Sequence, residues 1–69
     1  MKDLKLQNKL KEIRTSKNLS QEQLAVMVGT TRQTIISIEK QVFYPTAKLA
    51  LLLCIALDCK FEDIFFFFF

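Results

Sequence analysis

The chain contains a single glycine, Gly29, and a single proline, Pro45, in 69 residues. Because these two residue types mark most turns, their scarcity favours helices joined by short loops and argues against an all-β fold. Hydrophobic residues make up 51% of the chain, which is enough for one packed core at this length. We therefore expect a compact all-α protein with one domain that spans residues 1–69.

Hydrophobic spacing and capping residues divide the chain into five predicted helices. A capping-box pattern begins at Ser20, and Gly29 suits the left-handed position that ends a helix. Thr30 or Thr31 can cap the third helix, and Thr46 can cap the fourth. The predicted helices cover approximately residues 6–17, 21–28, 32–40, 47–57 and 61–65.

The charge of the chain is unevenly distributed. Residues 1–40 carry eight Lys and Arg against four Asp and Glu, a net charge of +4, whereas residues 41–69 carry two against three, a net charge of −1. A basic half beside an apolar, nearly neutral half suggests that the first contacts a polyanion and the second contacts protein.

The composition also argues against several classes of function. Histidine is absent, and Cys54 and Cys59 lack partners at zinc-ligand spacing, so we expect no metal, no cofactor and no enzymatic activity. We interpret the two cysteines as small apolar core residues in a reducing compartment. The apolar run Leu49–Leu57 is about half the length of a membrane span, and the N-terminus lacks a signal-peptide core. These features predict a soluble cytoplasmic protein with no membrane contact.

The second and third predicted helices are joined by only three residues, Gly29–Thr31. Such a short link forces the two helices to cross steeply, and Ile35 and Ile38 can anchor the third helix to the core. Arginine can pair with guanine, glutamine with adenine, and an aliphatic side chain with a thymine methyl group. The outer face of the third helix carries Arg32, Gln33, Ile36 and Ser37. This arrangement predicts insertion of that helix into the major groove of double-stranded DNA.

Sequence stretches along most of the chain resemble the phage repressor and Cro (XRE-type) helix-turn-helix family. They include Leu19–Ala25, Val28–Ile35, Tyr44–Thr46, Leu49–Leu51 and Phe61–Phe65. The resemblance covers about residues 6–65, and the helix-turn-helix itself occupies about residues 20–40. It implies a transcriptional regulator without a ligand domain, most often a repressor, that binds an inverted-repeat operator as a homodimer. It therefore implies no small-molecule ligand.

The resemblance also assigns roles to individual residues. Arg14 and Glu39 match a pair that the family uses as a buried bridge between the first and third helices. Gln21 matches a residue that holds a phosphate and braces the next helix. The positions that it places on DNA are Gln21, Thr31, Arg32, Gln33, Ile36, Ser37, Lys40 and Tyr44.

Three features depart from the family pattern. Gln41 stands where Gly or Asn is usual after the third helix, so the left-handed turn there is either strained or altered. Lys60 replaces the usual capping Ser or Thr before the fifth helix. Leu52 and Ile55 stand where exposed polar residues are usual, which leaves the fourth helix apolar almost all round.

The apolar C-terminal part predicts a dimerisation region over about residues 49–69. Leaving so much apolar surface in water is rare for a soluble monomer. The residues that we expect in the interface are Leu52, Ile55, Phe65, Phe66, Phe67, Phe68 and Phe69. The early residues Lys2, Asp3, Leu4 and Lys5 can pair with the phenylalanine run as a small two-stranded β ribbon, as in some short family members.

An alternative function uses the same fold without DNA as the main partner. The apolar half can bind another protein, as in an antitoxin that holds a toxin. A regulator is expected to form a stable homodimer when purified alone, whereas an antitoxin half is expected to aggregate or stay monomeric until its partner is supplied.

Overall fold

The computed structural model describes residues 4–68, which form five helices and one two-stranded antiparallel sheet. In chain order the elements are β1 (Leu6–Asn8), α1 (Leu10–Ser16), α2 (Gln21–Val28), α3 (Arg32–Glu39), α4 (Ala47–Leu57), α5 (Phe61–Ile64) and β2 (Phe65–Phe67). The architecture confirms the predicted five-helix class and the ribbon formed by the two ends of the chain.

The core lies where α2 packs on α3 and α4, and α5 and β2 close one end of it. Seven large side chains are fully buried there, because their spacing along each helix directs them to one face. They are Leu10, Leu24, Ile35, Ile38, Leu53, Leu57 and Ile64. This layer holds α2 and α3 in a fixed relation and leaves the opposite face of α3 in solvent.

The helix caps follow the sequence pattern. The Ser20 hydroxyl accepts a hydrogen bond from the amide of Gln23 at 3.0 Å, and the Gln23 side chain accepts one from the amide of Ser20 at 2.8 Å. Thr31 and Thr46 each accept a bond from the amide three residues later, at 3.2 Å in both cases. The caps place the first residues of α2, α3 and α4 where the sequence predicted them.

The first helix begins later than predicted. We expected a helix from about residue 6, but Leu6–Asn8 is extended and pairs with Phe65–Phe67, with Leu6 opposite Phe67 and Asn8 opposite Phe65. The Asn8 side chain accepts a bond from the amide of Leu10 at 3.1 Å and donates one to the carbonyl of Ile38 at 3.0 Å. Local capping and a tertiary contact therefore override the helical spacing of the leucines.

The ribbon uses different residues from those expected. We placed it at residues 2–5, whereas β1 begins at Leu6; Lys2 and Asp3, like Phe69, lie outside the described residues. Leu4 and Lys5 precede the strand. Sheet pairing also ends the last helix at Ile64, one residue before the predicted end, because the amide of Lys9 donates to the carbonyl of Ile64 at 2.8 Å.

Two turns depart from the usual residue choice. Gln41 is left-handed with a φ of 62°, so the turn after α3 is kept without a glycine, and Asp58 adopts a φ of 53° at the end of α4. The amide of Lys60 donates to the Asp63 carboxylate at 3.0 Å, although a lysine ammonium offers no acceptor to the helix. Only half of a capping box therefore forms at α5.

Among residues 4–68, no helix has both the length and the apolar character that crossing a membrane requires.

Gln41→Gly is expected to stabilise the protein by about 0.5–1 kcal/mol. A non-glycine residue in the left-handed region costs about 1–2 kcal/mol, and glycine recovers only part of this because it loses more conformational entropy on folding. Gly29→Ala, at a φ of 74° with open space around the added carbon, is expected to destabilise it by about 1 kcal/mol. Thermal melts measure both. Val42→Gly is the control, since Val42 lacks a positive φ. If that substitution also stabilised the protein, the gain at Gln41 could not be attributed to its left-handed backbone.

Candidate nucleic-acid interface

The turn between α2 and α3 packs the two helices against each other. Gly29 adopts a φ of 74°, and the amide of Thr30 donates to the carbonyl of Ala25 at 2.9 Å. This pattern satisfies the last carbonyls of α2 and turns the chain within two residues. Ala25 is 1% exposed, so its small side chain permits the close approach of α3.

The outer face of α3 is polar and accessible at its N-terminal end. Arg32 and Gln33 are exposed, and Ile36 and Ser37 are half-buried one turn further along. The Gln33 amide donates to the Ser37 hydroxyl at 3.3 Å. Thr31 is exposed, but its hydroxyl already accepts from the amide of Thr34. The face therefore presents the exposed Arg32 guanidinium and the Gln33 amide on its first turn, and the Ser37 hydroxyl on the next.

A buried ion pair fixes α3 against the rest of the domain. The Arg14 Nε donates to Glu39 Oε2 at 2.6 Å, and Nη2 donates to Oε1 at 3.2 Å. The two side chains are only 8% and 5% exposed. Arg14 also donates from Nη1 to the carbonyl of Leu19 at 2.8 Å. The guanidinium therefore joins the end of α3 to α1 and to the segment that leads into α2.

The Gln21 side chain completes this network. Its Nε2 donates to Glu39 Oε1 at 3.1 Å, so the amide braces α3 directly. Gln21 also lines an open cleft with Arg14, Ser20, Glu22 and Arg32. The structure thus places Gln21 and Arg32 on one cleft at the edge of the outer face of α3.

Two residues beside α3 were missed in the sequence. Val42 is 75% exposed and Phe43 is 45% exposed, and both line a cleft with Thr31, Gln33 and Ser37. Lys40 and Tyr44 are also exposed in this segment. The sequence feature that could have identified Val42 and Phe43 is that they are adjacent apolar residues in the loop before Pro45, where they cannot be buried in the core.

The residues predicted for dimerisation differ in their exposure. Leu52 is half-buried against the core, and Phe65 is buried. Phe66 is half-buried, whereas Phe67 and Phe68 are 44% and 77% exposed. The exposed large apolar residues of α4 are Ile55, which was predicted, and Leu51 one turn earlier, which sequence reasoning missed. The i, i+4 spacing from Ile55 was the signal that could have identified Leu51.

A helix-turn-helix family model matches residues 10–64, which include all five helices. The chain belongs to the XRE-type helix-turn-helix family. Members of this family are DNA-binding transcriptional regulators rather than enzymes.

Relatives and solved structures agree with this assignment. The chain is 47% identical over 60 residues to the helix-turn-helix transcriptional regulator YgzD of Bacillus subtilis, covering 87% of this chain and 91% of that protein. It is 48% identical over 60 residues, with the same coverage, to the regulator MJ0272 of Methanocaldococcus jannaschii.

Similar folds are found in two solved regulators. The restriction-modification controller protein C.AhdI of Aeromonas hydrophila is 35% identical, with a TM-score of 0.74 and coverage of 78% of each chain. The transcriptional regulator VanUg is 16% identical, with a TM-score of 0.80 over 99% of this chain and 91% of that one, which shows a shared fold.

Glu39→Gln is expected to destabilise the protein by about 3–5 kcal/mol, because it leaves the Arg14 guanidinium buried without a counter-charge. Thermal and urea melts measure the loss. Glu22→Gln is the matched control, since Glu22 is exposed on α2 and a change there is worth at most about 1 kcal/mol. Equal shifts in the two variants would show that the ion pair does not stabilise the fold.

Proposed function

We propose that this protein is a homodimeric repressor that binds an inverted-repeat operator by placing α3 of each protomer in the major groove. The observation that carries the proposal is the exposed polar face at the N-terminal end of α3. The Arg14–Glu39 pair at the other end of this helix fixes its position in the domain. In this motif the N-terminal residues of the recognition helix contact base edges.

The side chains of α3 divide into base-reading and positioning groups. Arg32 suits a bidentate contact with guanine, and Gln33 suits adenine, with its amide oriented by Ser37. Ile36 offers an aliphatic surface to a thymine methyl group. Thr31, whose hydroxyl caps α3, contacts the same edge of the groove.

The residues at the ends of the recognition face contact phosphates. Lys40 follows α3, and Tyr44 lies in the exposed loop beyond it. Gln21 lies at the opposite edge, at the N-terminus of α2, where backbone amides and the helix dipole favour an anion. Phosphate contacts on both sides of the helix fix its register on the duplex.

The homodimer forms through the exposed apolar surface of α4 and the C-terminal strand. Leu51, Ile55 and Phe68 are all more than half exposed, and Phe67 nearly so. Leu52, Phe65 and Phe66 support this surface from the core side, and the interface residue Phe69 lies outside the described residues. A twofold dimer sets the two recognition helices about 34 Å apart, one turn of DNA, and so requires an inverted repeat. Occupation of that site represses by excluding other proteins from the promoter.

The same exposed surface supports a second candidate, an antitoxin-type module that binds a different protein. Sedimentation of the purified protein separates the two. A stable homodimer favours the repressor, and a monomer or an aggregate that becomes soluble only with another protein favours the module.

Selection of bound sites from random duplexes tests the DNA-binding mode as a whole. We expect the recovered sites to share an inverted repeat whose half-sites are centred about 10 base pairs apart. Recovery of a single unrepeated site, or of no common sequence, would contradict the proposal.

Arg32→Ala is expected to weaken binding to the selected operator by about 1–3 kcal/mol and to relax the preference at one base pair per half-site. Lys40→Ala is expected to weaken binding to all sequences alike and to lower the salt slope by about one. Titrations of matched and mismatched duplexes at several salt concentrations separate the two effects. An equal loss on every duplex for Arg32→Ala would make Arg32 a phosphate contact.

Ile55→Lys is expected to shift sedimentation from dimer to monomer and to weaken operator binding at least about tenfold, or about 1.4 kcal/mol. Val26→Lys is the matched control, because Val26 is 71% exposed on α2 and the substitution adds the same charge. Circular dichroism checks that both variants stay helical. A dimer that survives Ile55→Lys with normal DNA binding would place the interface elsewhere.

A further inference from the structure

The end of α4 brings the two cysteines together through the backbone. The amide of Cys59 donates to the carbonyl of Cys54 at 3.0 Å, and the amide of Asp58 donates to the carbonyl of Ile55 at 3.2 Å. Asp58 between them is left-handed. These are the two hydrogen bonds of a Schellman motif, in which the side chains at the positions of Cys54 and Cys59 commonly contact each other.

This placement sets the two residues side by side at the end of α4, because the backbone of Cys59 is bonded directly to that of Cys54. A disulfide requires such proximity, since it spans α-carbons only about 4.4–6.8 Å apart. Both cysteines are free thiols and line one surface cleft. The sequence predicted two small apolar core residues. Cys54 is buried, whereas Cys59 packs against the core but is only half-buried and lines the cleft.

The two thiols differ in their surroundings. Burial and then the neighbouring Cys59 raise the pKa of the Cys54 thiol above its ordinary value. Cys54 is therefore the poorer first nucleophile, since the thiolate is the attacking species.

The charges at the cleft select the kind of reagent. Asp58, Lys60 and Asp63 line it with the two cysteines, and Glu62 and Asp63 both act on Cys54 electrostatically. Two lining carboxylates and the nearby Glu62 outweigh the one ammonium, so the cleft favours a cationic molecule over an anionic one.

We propose that Cys54 and Cys59 form a redox-active dithiol that reacts with cationic low-molecular-weight disulfides. The Cys59 thiolate attacks one sulfur of the disulfide, which breaks its S–S bond, forms a mixed disulfide and releases one thiol. Cys54 then attacks the Cys59 sulfur and releases the second thiol. Two electrons pass from the protein to the reagent, and the two protein protons end on the two released thiols.

Treatment of the reduced protein with cystamine, followed by alkylation and mass spectrometry of the intact chain, tests the proposal. The expected product has lost two hydrogen atoms, carries no cystamine fragment and resists alkylation. Cys54→Ser is expected to stop at a mixed disulfide on Cys59, and Cys59→Ser to react at least about tenfold more slowly than Cys54→Ser. Circular dichroism checks that both variants are folded, and Cys54→Ala replaces Cys54→Ser if that variant is not.

Three results would overturn the proposal. The wild-type protein could stop at a mixed disulfide, it could form disulfides only between chains, or the two serine variants could react at the same rate. A separate experiment tests the charge preference, with oxidised glutathione in place of cystamine. The rate of each reagent with the protein is divided by its rate with free cysteine whose amino and carboxyl groups are blocked and whose thiol is intact. Cystamine is expected to react faster at low salt, with a difference that shrinks as salt is added. Equal normalised rates at low salt would overturn the preference.

Discussion

The guanidinium of Arg14 and the carboxylate of Glu39 meet where both are almost fully removed from water. Removing two charges from water costs several kcal/mol for each ion, so the pair is tolerable only when its remaining donors and acceptors are also satisfied. Here the carbonyl of Leu19 and the amide of Gln21 do so. Within residues 4–68, no buried side-chain nitrogen or oxygen lacks a partner.

This requirement determines the geometry of the interface. Such a pair gives little net stability relative to a well-packed apolar substitute, but it strongly penalises any arrangement that separates the charges. Because Glu39 is the last residue of α3 and Arg14 lies on α1, α3 cannot rotate without exposing one charge to an apolar core. The orientation of Arg32 and Gln33 towards solvent therefore depends on a contact at the other end of their helix.

Much of the fold could be predicted from the sequence because its signals are local. Ser20, Thr31 and Thr46 cap helices within three residues of themselves, and Gly29 ends a helix by its own φ. The start of α1 could not be read this way, because Asn8 takes its partner from Ile38, thirty residues away. The candidate site shows the same contrast between local and distant signals. The polar residues of α3 could be identified from their positions on the helix, whereas the exposure of Val42, Phe43 and Leu51 depends on what packs beside them.

The C-terminal strand consists of identical residues, and this has a consequence for how it finds its place. A shift of one residue in the pairing register of a strand normally exchanges the inner and outer side chains, and the resulting mismatch destabilises the shifted pairing. In the run from Phe65 onward, every shifted pairing presents the same side chains. The run therefore contains no information about its own alignment. That information comes from its neighbours: the bond from Lys9 to the carbonyl of Ile64 and the anchoring of Asn8 on Ile38 set where the first phenylalanine begins.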